Sequence, residues 1–273
     1  MKKILLLASI IALSPFNLIA QTDAGLTKVE LNKKNKELLT KAGINILDSS
    51  EIRIIPSNII LNNNNSSQDK NNAYYAEKTK LYLSMHEEQE KNGYVKAIEP
   101  RAKELMELKN TALYHQKKYK GVLSPISTHL RGEISELKMA YTFVGVPQIE
   151  IDHKIGIAPF GAYKQVKNGD DGDGWDGAVQ FFDKNGIGVC AYTEHNRNLA
   201  HSGVELIKEL TSFDVNEKPT TVLIKGTNET GFIYKLQWYD ITFSRELECA
   251  NPAYNQELRN QVIELAKRID LSN

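Results

Sequence analysis

From Gln148 onward, apolar residues recur at every second position, the period of a half-buried strand. Ile149, Ile151, Ile155 and Ile157 alternate with polar or small residues, and Pro159 is expected to stop the run. Residues 178–182 and 187–194 flank Asp183-Lys184-Asn185-Gly186, a strong hairpin signal. Residues 220–225 and 232–240 flank a second turn, from Gly226 to Gly231. In that second pair Phe232, Tyr234, Leu236 and Trp238 share one face, while Lys235 and Gln237 take the other. Phe243, Leu247 and Cys249 continue the pattern, with Arg245 as the exception on an apolar face.

Upstream the period is helical. Thr27 and Glu30 form a capping box that opens a helix to about Ala42, and Gly43 is placed to end it. Residues 44–61 carry short aliphatic runs broken by Pro56, more strand-like than helical. Two helices are expected over residues 73–119, broken near Gly93; the second carries Val95, Ile98, Ala102 and Leu105, and Pro100 marks its true first turn. Ser124-Pro125 predicts a further helix presenting Ile126, Leu130, Ile134, Leu137 and Tyr141. Ser202 and Glu205 form a second capping box, which predicts a short helix through Leu210. Asn251-Pro252 is read as the cap of a last helix with the stripe Tyr254, Leu258, Val262, Leu265 and Ile269.

Helices first, then a mainly antiparallel sheet, then a closing C-terminal helix make an α+β fold. The expected organisation is a signal peptide at 1–20, an N-terminal arm at 21–61, an Asn/Ser-rich linker at 62–72, and an α+β body at 73–273. Within the body, 73–145 is expected to be helical, 146–250 mainly β, and 252–271 the final helix.

The export reading rests on Lys2 and Lys3, the apolar run 4–13, and Ala20 as the small residue before the cut. The apolar run falls short of the ~18 residues that usually span a bilayer, and no later segment approaches that length. A periplasmic or secreted protein is expected, with no membrane span in the mature chain. Removal of residues 1–20 takes two lysines and no acid, leaving 32 basic against 34 acidic residues. That balance gives no electrostatic reason to bind nucleic acid. Two cysteines in an exported chain, Cys190 and Cys249, are expected to form a disulfide.

Three stretches carry candidate chemistry. Asp170, Asp171, Asp173 and Asp176 crowd four carboxylates among glycines, hard oxygens of the kind calcium prefers, although the spacing is not that of an EF-hand. A solvated turn uses the same residues. Glu194, His195 and His201 lie near a strand end and offer acid, base or zinc-ligand groups at a spacing that fits no known motif. Trp175, read as part of the acidic loop, is the aromatic residue best placed for surface recognition. No nucleophile elbow, phosphate loop or dinucleotide fingerprint is present. These features lead to the expectation of a non-catalytic protein without a cofactor, working through protein partners in a bacterial envelope or secretion assembly. The alternatives are a secreted hydrolase using His195, His201 and Glu194, and a calcium-dependent binding module.

Overall fold

The computed structural model describes Lys34, Glu37 and residues 51–62, 70–108, 130–165 and 173–273. The chain divides into two compact units, Met1–Ile46 and Leu47–Asn273. In the first, Lys34 and Glu37 are helical. The rest of the helix expected over 27–42 lies outside the described residues, as does the export segment 1–20.

The second unit is α+β, as the periodicities predict. It opens with strand β1 (Ile52–Ile55), a short helix α1 (Ser57–Asn62), the long helix α2 (Lys70–Asn92), the two-residue strand β2 (Val95–Lys96) and helix α3 (Pro100–Leu108). Strands β3 (His153–Lys164), β4 (Gly174–Lys184) and β5 (Gly188–Asn196) follow, then the single turn α4 (Arg197–Ala200) and β6 (Val204–Ile207). Strands β7 (Ser212–Val215), β8 (Lys218–Thr227), β9 (Gly231–Tyr239) and β10 (Phe243–Asn251) lead to the closing helix α5 (Gln256–Leu271).

Eight of these strands form one mixed sheet in the order β2-β8-β9-β10-β5-β4-β3, with β7 also paired to β8; β2 alone runs parallel to its neighbour. Burial on both faces makes this sheet the centre of the unit. On one face Tyr192, Phe232, Tyr234, Trp238 and Leu247 pack with Leu258, Val262, Leu265 and Ile269 of α5. On the other, Val179, Phe181, Ala191, Ile233 and Ala250 pack with Ala102, Leu105 and Leu108 of α3. Each of these larger side chains contributes roughly 1.5–3 kcal/mol by leaving water.

Several local expectations are corrected. Ile52–Ile55, counted with the arm on sequence grounds, pairs in parallel with β6 in the second unit. Residues 204–207 are therefore a strand, not the helix that the Ser202 capping box predicts. The run Val-Glu-Leu-Ile alternates, and strand pairing with β1 overrides the local cap signal. Residues 130–145 are not α-helical: they hold an isolated bridge between Arg131 and Ile157 and a 3-10 turn at Ile134–Glu136, and Met139 pairs with Trp175. The i,i+4 apolar spacing there serves an extended segment whose Phe143 and Val146 reach the core.

Val95 belongs to β2 rather than to the helix, and Ile98 is exposed; the helix starts at Pro100, where proline suits the first turn. Strand β3 runs through Pro159, which the edge position of β3 permits because an edge strand need not donate every N–H. The cap of α5 is Asn255, whose side chain accepts from Glu257 N at 2.8 Å, and not Asn251.

Candidate functional site

The chemistry-bearing residues of β4 and β5 divide between the two sheet faces. At the end of β3 a bulge between Phe160 and Tyr163 places Gly161 at φ +79°. A Cβ at Gly161 would overlap Asp176 Oδ1 and crowd His195 Nε2, so glycine makes room for that pair. Asp176 is almost fully buried. Its Oδ1 accepts from Ala162 N at 2.7 Å and lies 3.2 Å from His195 Nε2; Oδ2 lies 3.1 Å from Lys164 Nζ. Burial works to raise the Asp176 carboxyl. The close His195 ring, the hydrogen bond from Ala162 N and the nearby Lys164 outweigh it, so the pKa falls below the ordinary value. His195 stands edge-on to the Phe160 ring, with its side chain 20 % exposed.

Glu194 points the opposite way, into a buried charge network. Its Oε2 accepts from Tyr192 Oη at 3.0 Å and from Arg245 Nε at 2.9 Å. Arg245 also donates to Asp240 Oδ2, while Asp270 is held by Trp238 Nε1 at 2.9 Å, Lys218 Nζ at 2.6 Å and Asn216 Nδ2 at 2.9 Å. Burial raises the Glu194 carboxyl, and the Arg245, Tyr192 and Tyr141 interactions offset that only in part. Arg245 is the residue that breaks the apolar face in the sequence. A lone cation on such a face is the signal of a paired buried anion, and Glu194 is that anion.

A third group sits on the β9–β10 face beside α3. Lys235 Nζ lies 2.8 Å from Glu246 and 3.2 Å from Glu248, Gln237 donates to Glu246 at 2.6 Å, and Arg101 of α3 donates to Glu248. Burial opposes ionisation of Glu248, but Arg101 and Lys235 prevail and lower its pKa to about 2.

The structure therefore does not gather Glu194, His195 and His201 at one point. His201 is exposed, left-handed at φ 52°, and closes α4, and among the described residues no hydrogen bond or ion pair joins its side chain to the other two. Asp170 and Asp171 lie outside the described residues. Asp173 pairs with Lys138 at 3.7 Å and Asp176 with Lys164, so these two carboxylates serve different partners. Among the described residues, no group of three or more His, Cys, Asp or Glu side chains is placed to hold a metal ion.

Trp175 is a residue of β4 rather than of a loop. It is half-buried, paired in register with Tyr163 and T-stacked on that ring at 5.5 Å. Cys190 and Cys249 form a disulfide. A cleft of about 320 Å³ beside Ile134, Pro147 and Gln180 has Glu133 and Lys154 as its charged lining residues, and these pair with each other at 3.1 Å.

One surface feature escapes a pattern reading focused on strands. Helix α2 buries Ala76, Thr79 and Gln89, and Gln89 anchors it to β8 by bonding Val222 O at 3.1 Å and Ile224 N at 2.6 Å. Tyr74, Tyr75, Leu81 and Tyr82 stand 44–52 % exposed on it. Tyr74, Leu81 and Tyr82 fall within one outward arc at helical spacing, whereas Lys78 and Met85 on that arc are only partly exposed and Gln89, one turn beyond Met85, is the buried anchor. Among the described residues, no helix is long and apolar enough to cross a membrane. Compared with models of known protein families, with curated proteins and with solved structures, the chain matches none.

Proposed function

We propose that this is an exported protein that works by docking onto another protein of a bacterial envelope or secretion assembly, through the outer face of α2. The observation that carries this reading is the group of exposed aromatic and aliphatic side chains on α2, namely Tyr74, Tyr75, Leu81 and Tyr82. Three tyrosines and a leucine on an anchored helix expose apolar area that the core does not use. Tyrosine is enriched at interface hot spots because it offers a large ring together with a polar tip. The anchoring by Gln89 holds the helix in place, so little ordering entropy opposes binding.

Two features support the extracytoplasmic part. The basic and apolar start of the chain has the layout of an export signal. The buried disulfide suits an oxidising compartment.

The test is a double substitution, Tyr74→Ser with Tyr82→Ser, made in cells that produce the protein. The expected result is release from a large envelope complex with an unchanged melting temperature, since neither side chain is in the core. Retention of the complex by the double variant would remove α2 as the docking face.

A further inference from the structure

One register row crosses five strands of the sheet on the face that α3 covers at its other end. Phe160 lies opposite Gly177, Gly177 opposite His195, His195 opposite Ser244, and Ser244 opposite Tyr239. Residues paired in this way share a face, with Cβ atoms about 5 Å apart. The row is shaped around the histidine ring. Cδ2 of His195 sits where a side chain on Gly177 would go, and Nε2 sits beside Gly161, in reach of Asp176. Cδ2 and Nε2 make one edge of an imidazole. The opposite edge, with Nδ1, therefore faces away from β4 and toward β10, where Ser244 stands.

His195 Nε2 lies 3.2 Å from the buried Asp176 carboxylate, a contact that favours the ring tautomer carrying its proton on Nε2 and leaving the Nδ1 lone pair open as a proton acceptor. Among the described residues, the Ser244 hydroxyl makes no hydrogen bond, to His195 or to any other group, so the register pairing alone sets the two side chains beside each other; both are partly exposed. Tyr239, on the other side of Ser244, keeps its hydroxyl protonated, because burial and the neighbouring Glu246 raise its pKa to about 12.

We propose that Ser244 is a nucleophile toward carboxylic esters, with His195 as its general base and Asp176 as the positioning residue that holds His195. This goes beyond the docking reading and stands or falls independently of it. Ser244 Oγ forms a bond to the acyl carbon as its proton passes to His195 Nδ1, and the carbonyl π pair moves onto oxygen. Collapse of that adduct breaks the bond to the alkoxide, which leaves with the proton from Nδ1. Water then attacks the acyl-serine, gives a proton to Nδ1, and Ser244 Oγ departs with that proton. The net change is ester plus water to acid plus alcohol, with no oxidant or reductant.

The mature chain, treated with a fluorophosphonate probe and digested for mass spectrometry, tests this directly. The adduct is expected on Ser244, absent in Ser244→Ala, and formed about a hundredfold more slowly in His195→Gln, the range a general base supplies. Glutamine can still donate to Asp176, so the melting temperature is expected to hold while the labelling rate falls. A folded wild-type chain that takes up no probe at Ser244, or His195→Gln protein labelled as fast as wild type, would overturn the proposal.

Discussion

Cys190 on β5 and Cys249 on β10 are direct register partners, with Cα atoms 4.1 Å apart, and a disulfide joins them at the centre of the larger core cluster. The link spans 59 residues of sequence, so it holds two strands already adjacent in the sheet while removing a long loop from the unfolded ensemble. Chain-entropy arguments put such a link on the order of 4 kcal/mol. Replacing both cysteines with alanine is expected to lower the melting temperature by roughly 8–16 °C, using about 2–4 °C per kcal/mol for a chain of this size. Both sulfurs are fully buried. Reductant is therefore expected to leave the folded protein unchanged and to act only when denaturant opens it, which thiol counting can follow.

Arg245 neutralises Glu194 and Asp240 inside the sheet–helix interface. Removing one partner of a buried pair leaves the other charge uncompensated, at a cost of about 3–5 kcal/mol. Arg245→Ala is expected to lose that much in urea unfolding. Arg245→Ala with Glu194→Ala is expected to lose less than the two single losses combined, because the partners are coupled. Strict additivity would mean the pair does not interact in solution.

Acid is expected to unfold the protein, and the sign follows from the carboxylates. Glu248, Asp176 and Asp240 have pKa values lowered in the folded state, so the unfolded chain binds more protons as pH falls through their ordinary range. Their contribution is complete above that range and disappears as pH drops, for Glu248 toward about 2. Glu194 and Glu246 are shifted up, by burial first, and act in the opposite sense just above the ordinary range. Melting temperature measured against pH is expected to fall below the ordinary carboxylate range. Glu248→Gln is expected to flatten that fall.

Gly161→Ala is expected to be among the most damaging single-methyl changes on the sheet edge. The position needs a positive φ, and the added Cβ would displace Asp176 and His195 together. Reduced melting temperature together with a shifted His195 imidazole resonance would show this. An unchanged His195 resonance would contradict the close packing.

The sheet was legible because its strands alternate cleanly and its main hairpins carry glycine turns. The face of Phe232, Tyr234, Leu236 and Trp238 is wholly buried as read. The hairpin between β7 and β8 was not visible, because its turn is Asn216-Glu217, both with positive φ, where glycine normally marks the second position. Strand β6 was hidden by a capping-box pattern whose local preference is weaker than pairing with the sequence-distant β1. The candidate site was only half legible. His195 and Asp176 were each singled out, but the Gly161 bulge that brings them together is a tertiary feature. Ser244 acquires meaning only from strand register.

Docking through α2 can be read from the native size of the protein in gently solubilised envelope fractions, compared between wild type and the Tyr74→Ser, Tyr82→Ser double variant. Wild-type protein is expected in a large complex, and the double variant is expected as a released monomer with the same melting temperature. Wild-type protein recovered only as a free monomer would contradict it.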